Sequence, residues 1–315
     1  MDRKPLVGIS TCLLGENVRY DGGHKLDRYL RDLLGRYVDY VPVCPEVECG
    51  MGVPREAVRL VEKDGLIRLM TQKTQVDRTD QMASWMGPKL EELSKMPLCG
   101  FIFKSRSPSS GLFRVKVYRE NGPVGNGVGM FAQGFSERFP HIPVEEDGRL
   151  QDDGLRENFI ERIFVMQRWH EMAAGRKSMK KLLDFHSSHK YLLMAHSPKT
   201  LKELGAMLAR GRELPLDELH EAYFTSFIDA LKKIATVKKN TNVLMHIMGY
   251  FKRNLDADEK AELLEVTGRY HDGLVPLIVP ITLLNHYVRK YAPKYLEDQI
   301  FLQPHPMELM LRNHV

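Results

Sequence analysis

The pattern of this 315-residue chain changes character near Leu150, and that change limits its folds more than any other feature. Before it, short β-rich runs alternate with helical ones: PLVGIS, HKLDRYLRDLLGRY, DYVPVC, DRTDQMASWMGPKLEELSK and LCGFIFK. That alternation predicts an α/β domain built on an open, mostly parallel sheet with flanking helices. After about Asp152 the strand signals fade, and long amphipathic periods follow, as in LDELHEAYFTSFIDALKKIA and NVLMHIMGYFKR. In the second of these, Val243, Leu244, Ile247, Met248 and Phe251 share one face, so an all-α C-terminal domain is expected. The expected boundaries are 1–150 for the α/β domain and 151–315 for the helical one. PVEEDGRLQDDG (Pro143 to Gly154) reads as the linker region, and NFIERIFVMQRWH as a helix assignable to either side.

A content of 43% hydrophobic and 28% charged residues supports a sizeable core and excludes a disordered chain. MDRKPLVGIS lacks the apolar stretch of a secretory signal and reads as a first strand. The longest apolar run, LVPLIVPITLL (Leu274 to Leu284), is about half of a membrane span and is interrupted by Pro276 and Pro280. No membrane partner is expected. Four cysteines in a chain of this length point to a reducing compartment, the cytoplasm, where thiols serve as metal ligands or nucleophiles. The net charge of +5, from 46 basic and 41 acidic residues, is compatible with polyanions without identifying one.

All four cysteines, Cys12, Cys44, Cys49 and Cys99, lie in the first third, whereas every histidine except His24 and His141 follows residue 150. In open parallel sheets, ligands bind outside the carboxyl ends of the strands. Cys12 follows the first expected strand, Cys44 ends the second, and SRSPSSG (Ser105 to Gly111) follows the third. Four residues separate Cys44 from Cys49, a spacing compatible with iron–sulfur and with short zinc loops. Small buried hydrophobes at strand ends are the plain alternative. Glu46, fixed beside a thiol by Pro45, favours a site. Arg19, Asp21 and Lys25 in the RYDGGHK turn either contact a polar base or phosphate or close the turn, the latter preferred for His24 and Lys25. Lys104 and Arg106 flank the serines as candidate anion contacts.

In order and spacing, GISTCLLGENVRYDGGHK, PVCPEVECGMGVPRE and FKSRSPSSG resemble the three signature segments of the thiouracil desulfurase (TudS) family, over about the first 140 residues. From about His186, HSSHKYLLMAHSP, ATVKKNTNVLMHIMGYFKR, LLNHYVRKY and HPMELMLRNHV resemble the YbgA domain. The chain is thus expected to be a fusion of the two. The first resemblance implies a cubane [4Fe-4S] cluster held by three cysteines, with one open iron, and non-redox removal of sulfur from 2-thiouracil-like bases or nucleosides. It implies Glu46 as the base and Ser107 as a hydrogen-bonding catalytic serine. Asp21, Lys104 and Ser109, placed at the same edge by the turns that carry them, are the expected substrate contacts.

The family's third cysteine falls where this chain has Ser110, so Cys49 or Cys99 is expected to replace it. Cys99 starts a strand that ends near Lys104, five steps of ~3.3 Å and roughly 16 Å from the SPSSG turn. Cys49 follows Cys44 in a loop that Pro45 and Gly50 allow to turn tightly. The expected metal ligands are therefore Cys12, Cys44 and Cys49. The alternative reading is a nucleic-acid-binding or damage-response accessory protein with a structural metal or cluster. The absence of a GxxxxGK[ST] loop weighs against ATP-dependent sulfur insertion.

In the helical half, His186, His189 and His196 share an arc if FHSSHKYLLMAH is one helix, as a metal site or as hydrogen-bonded histidines. KKNTN (Lys238 to Asn242) reads as a loop carrying a helix cap. The KK and RK pairs make RNA a candidate partner of this half.

Overall fold

The computed structural model describes residues 3–119, 122–211 and 213–314. The chain divides into two compact units, Met1–Asp152 and Asp153–Val315.

In the first unit, β1 (Leu6–Ser10), β2 (Asp39–Val43), β5 (Leu98–Phe103) and β8 (Val144–Glu146) form one sheet in the order β2-β1-β5-β8, every neighbouring pair parallel. β5 is buried at every position, as an inner parallel strand covered on both faces must be. Gly8 of β1 is required there, because a Cβ would lie 2.1 Å from the Phe101 ring. Phe101 and Phe103 stack on one another and pack against Phe131 and Phe135 of helix α3 (Met130–Arg138) and Leu93 of helix α2 (Thr79–Ser94). That cluster is the core beneath the sheet. Ser10 pairs with Val43, so the carboxyl ends of β1 and β2 finish level, and Cys12 and Cys44 emerge side by side.

A second sheet, which the strand–helix alternation does not anticipate, has the order β4-β3-β6-β7. It comprises β3 (Val58–Lys63), β4 (Leu66–Thr71), β6 (Val115–Arg119) and β7 (Gly122–Gly127). The β3–β4 and β6–β7 pairs are antiparallel and β3–β6 is parallel. β7, GPVGNG, carries no apolar alternation, so its strand character comes from pairing rather than from side-chain pattern.

Three local expectations are corrected. HKLDRYLRDLLGRY forms a π-helical turn over Tyr29–Leu33 and a 3-10 turn over Leu34–Arg36 instead of a regular α-helix. The stretch from Pro143 to Gly154 contains β8 and a 3-10 turn, because Val144, Glu145 and Glu146 find a partner in β5. KKNTN lies inside helix α8 (Val237–Met248), with Thr236 accepting from the Lys239 amide as the cap.

The second unit is helical. It opens with α4 (Asp153–Ala173), which takes in NFIERIFVMQRWH, and continues through α5 (Met179–His196), α6 (Pro198–Ala209) and α7 (Leu216–Leu231). After α8 come α9 (Ala257–His271) and α10 (Ile278–Tyr291). Among the described residues no helix is long and apolar enough to cross a membrane.

Candidate active site

The carboxyl edge of the parallel sheet opens into a cleft of about 1350 Å³ lined by Cys12, Cys44, Glu46, Arg55, Lys104 and the Ser107–Ser110 turn. Strand geometry delivers each of these. Cys12 sits in a tight turn directly after β1. Cys44 is the N-cap of the short helix α1 (Pro45–Glu48), where proline at the first helical position fixes the chain's exit and the Glu48 carboxylate accepts the Cys44 amide at 2.8 Å. Lys89 pairs with Glu48 at 3.2 Å, which ties the short helix to α2.

The surroundings of both cleft thiols disfavour the thiolate. Burial, with the neighbouring Cys44 sulfur adding to it, pushes the Cys12 thiol up to about 11. Burial raises Cys44 as well. A metal entering here has to displace those protons.

Glu46 is held from both sides. Arg55, its side chain only 6% exposed, gives Nε (3.0 Å) and Nη2 (2.5 Å) to Glu46 Oε2, while its Nη1 donates to the carbonyls of Val18 (3.0 Å) and Gly52 (2.9 Å). Ser109 donates to the other oxygen, Oε1, at 2.8 Å. Ser107 and Ser109 lie 3.0 Å apart, oxygen to oxygen, and the Ser110 amide donates to Ser107 Oγ at 3.1 Å. Two glycines shape this turn by close approach. A Cβ on Gly129 would meet the Ser109 carbonyl at 2.7 Å, and one on Gly111 would meet the Ser107 carbonyl at 2.8 Å. Glu146 secures the far end of the turn by accepting the Leu112 and Phe113 amides, and burial raises its pKa.

The remaining expected site residues separate into two groups. Lys104 lines the cleft, but its ammonium is paired with Asp147 at 2.7 Å and hydrogen-bonded to Ser105. Asp21 is not among the cleft's lining residues. It closes its own turn by accepting the Gly23 amide at 3.1 Å, which with Arg19 nearby lowers its pKa. Lys25 and Arg19 do line the cleft, whereas His24 accepts the Leu26 amide within the turn.

Cys49 is likewise not part of the cleft lining. Its thiol faces the Glu46 carbonyl at 3.4 Å and its side chain packs against the core of the second sheet, around Leu60, Met82 and Val117. Cys99 is buried as the second residue of β5, which runs parallel to β1, placing it at the sheet's amino end. Ser110, buried at the cleft, occupies the third position of the implied cysteine set with a hydroxyl. Among the described residues no three His, Cys, Asp or Glu side chains gather as ligands for one metal ion. Two thiols and a serine do not fit a three-thiolate cluster in this conformation.

Arg55 is the cleft residue that the sequence pattern did not single out. It stands within the quoted PVCPEVECGMGVPRE segment, nine residues after Glu46, and no periodicity marks it. A charged residue after a Gly/Pro-rich loop that follows a candidate carboxylate is the signal that was there to use.

Two family matches cover most of the chain. The 2-thiouracil desulfurase family matches residues 7–147, and the family described as a protein of unknown function (DUF1722) matches residues 190–306. Among curated proteins, uncharacterized protein YbgA of Escherichia coli (strain K12) is 30% identical over 153 residues, covering 48% of this chain and 90% of YbgA. The chain is a fusion of these two families. Among solved structures, a [4Fe-4S]-dependent thiouracil desulfidase, TudS, is 29% identical with a TM-score of 0.39, covering 47% of this chain and 93% of its own. The two family matches bear out the fusion expected from the signature segments.

Proposed function

We propose that the N-terminal unit is an enzyme that removes sulfur from a thiolated pyrimidine, as a free base or nucleoside, and releases hydrosulfide. The observation that carries this reading is one cleft in which two thiols stand beside a carboxylate gripped by Arg55 and Ser109, within the region matched by the 2-thiouracil desulfurase family. Water adds to the ring carbon and gives up a proton towards Glu46. The C–S bond then breaks with both electrons on sulfur, which leaves as hydrosulfide, and the new C–O bond becomes the carbonyl. The second proton of the water ends on the departing sulfur, which makes it hydrosulfide, and Glu46 afterwards passes the first proton to solvent. No electrons are exchanged with an outside reagent.

Glu46 is the proton acceptor and Ser107 the cleft-facing hydroxyl next to the reacting atoms. A soft metal group would supply a sulfur-seeking Lewis acid, and Cys12 and Cys44 are the residues that would hold it. With Ser110 in the third place the donor set is one thiolate short, and no step above depends on that group. Incubating anaerobically purified chain with 2-thiouracil, and following hydrosulfide and uracil together, tests the reading. Equimolar appearance of the two is expected; thiouracil that stays intact overturns it.

RNA is a second proposed partner, through the helical unit. Tyr250 and Tyr295 stack at 5.5 Å, Tyr250 is exposed, and Lys252, Arg253 and Lys294 adjoin them in sequence, a pairing of aromatic and basic groups suited to single-stranded bases.

A further inference from the structure

The hydrogen bonds around Glu46 have a fixed direction. Glu46 Oε1, as a carboxylate oxygen, can only accept, so the single proton of the Ser109 hydroxyl is committed to it at 2.8 Å. The contact of 3.0 Å between Ser107 and Ser109 must then run from Ser107 to Ser109. Ser107 in turn takes the Ser110 amide on one lone pair at 3.1 Å, which leaves its other lone pair for a proton donor in the cleft. Ser109 is only 1% exposed, whereas Ser107 is half-buried, so the outer end of the chain of hydroxyls is Ser107. At the inner end Arg55 holds Glu46 Oε2 with two donors and is itself tied to Val18 and Gly52, which keeps Oε1 turned towards Ser109.

We propose that Ser109 is a positioning residue that relays a proton from Ser107 to Glu46, and not a contact to the substrate. The inference rests on the desulfuration reading. When water attacks, its proton passes to Ser107 Oγ, the Ser107 proton passes to Ser109 Oγ, and the Ser109 proton passes to Glu46 Oε1. Each hydroxyl ends with the one proton it began with, and Glu46 ends as the acid. Glu46 lines the cleft with one oxygen taken by Arg55 and the other by Ser109, and the hydroxyl chain carries the proton of a water that Glu46 need not touch.

The relay and a substrate contact differ in which kinetic constant they move. In the full-length chain, Ser109→Ala is expected to lower kcat for thiouracil by about 100-fold with KM unchanged, the loss typical of a broken proton-transfer step. Ser107→Ala is expected to lower kcat to the same degree. A rise in KM at constant kcat in Ser109→Ala overturns the proposal, as does a parental kcat. A second measurement does not depend on turnover. With carbon-13 glutamate, the infrared carboxylate band assigned to Glu46 by its loss in Glu46→Gln is expected to shift in Ser109→Ala, because one oxygen loses its donor. An unmoved band overturns the relay. If the parent chain releases no hydrosulfide, the desulfuration reading fails and the relay with it; a parent that turns over beside a Ser109→Ala variant with parental kcat overturns the relay alone.

Discussion

The two units put the same polar chemistry to different uses. In the helical unit, Glu161 on α4 is fully enclosed: His196 of α5 holds one oxygen at 2.6 Å and Arg312 the other at 3.3 Å. Arg312 also reaches Glu157 at 3.2 Å, and His314 completes that carboxylate at 2.9 Å. The adjoining cavity is only about 100 Å³. In the α/β unit Glu46 is paired just as completely, but its last partner is a hydroxyl chain that ends in a cleft of about 1350 Å³. A paired acid is structural where its network closes on itself, and available for chemistry where the network ends at space a substrate can enter.

The strongest way to break that contrast is to neutralise the two acids. Glu46→Gln is expected to lower kcat by at least about 100-fold while leaving the fold intact, since it removes the proposed proton acceptor and keeps an oxygen for Arg55. Comparing turnover with the thermal unfolding curve checks both halves of that expectation. Glu161→Gln is expected to do the reverse. Leaving Arg312 and His196 without their buried partner should cost about 3–5 kcal/mol of stability, read from denaturant unfolding, with the chemistry of the cleft untouched.

The wild-type chain adds a pH signature. Burial alone would raise the Glu161 pKa, but His196 and Arg312 outweigh it and hold the acid at about 2 in the folded state. A depressed folded value contributes stability that is complete above the ordinary carboxylate range. It is lost as pH falls from about 4.5 towards about 2. Glu161→Gln should flatten that part of the stability profile.

The metal expectation sharpens the comparison on the cleft side. Whatever iron the parent takes up on anaerobic reconstitution is expected to be lost in Cys12→Ser and in Cys44→Ser. Cys49→Ser should retain the parent's iron, because that thiol packs against the second sheet's core. Ser110→Cys should raise the iron content by completing a third thiolate at the cleft. If Cys49→Ser empties the site instead, the loop after α1 must rearrange around the metal. Smaller again, Arg55→Lys is expected to lower kcat about 10-fold, since an ammonium cannot span Glu46, Val18 and Gly52 at once. The smallest effect sought is on RNA: any affinity of the full chain for tRNA should fall steeply between low and high salt.

Much of the first sheet was legible because parallel inner strands announce themselves as short apolar runs; LCGFIFK is buried throughout β5. The second sheet was not. Its β7 is glycine-rich and exposed, and nothing but its hydrogen bonds to β6 makes it a strand. The three helical histidines show the opposite case. His186 bonds to Tyr223, His189 to the Phe185 carbonyl and His196 to Glu161, so partners supplied by other turns and helices absorb what the spacing left open.

Sequence alone determined that Cys12, Cys44, Glu46 and the SPSSG turn belong to one edge. Each follows a strand of a parallel sheet, and parallel strands end on the same side. It also determined the change from α/β to helical pattern and the serine at position 110. Only the tertiary structure decided which side chains within those loops face the cleft. Cys44 and Cys49 stand five residues apart on either side of one helical turn, and a single turn sends one thiol to the cleft and the other to the core of the second sheet. Asp21 closes its own turn and Arg55 enters the cleft for the same reason. The direction of a loop side chain depends on what the loop packs against, and that information lies in residues distant in sequence.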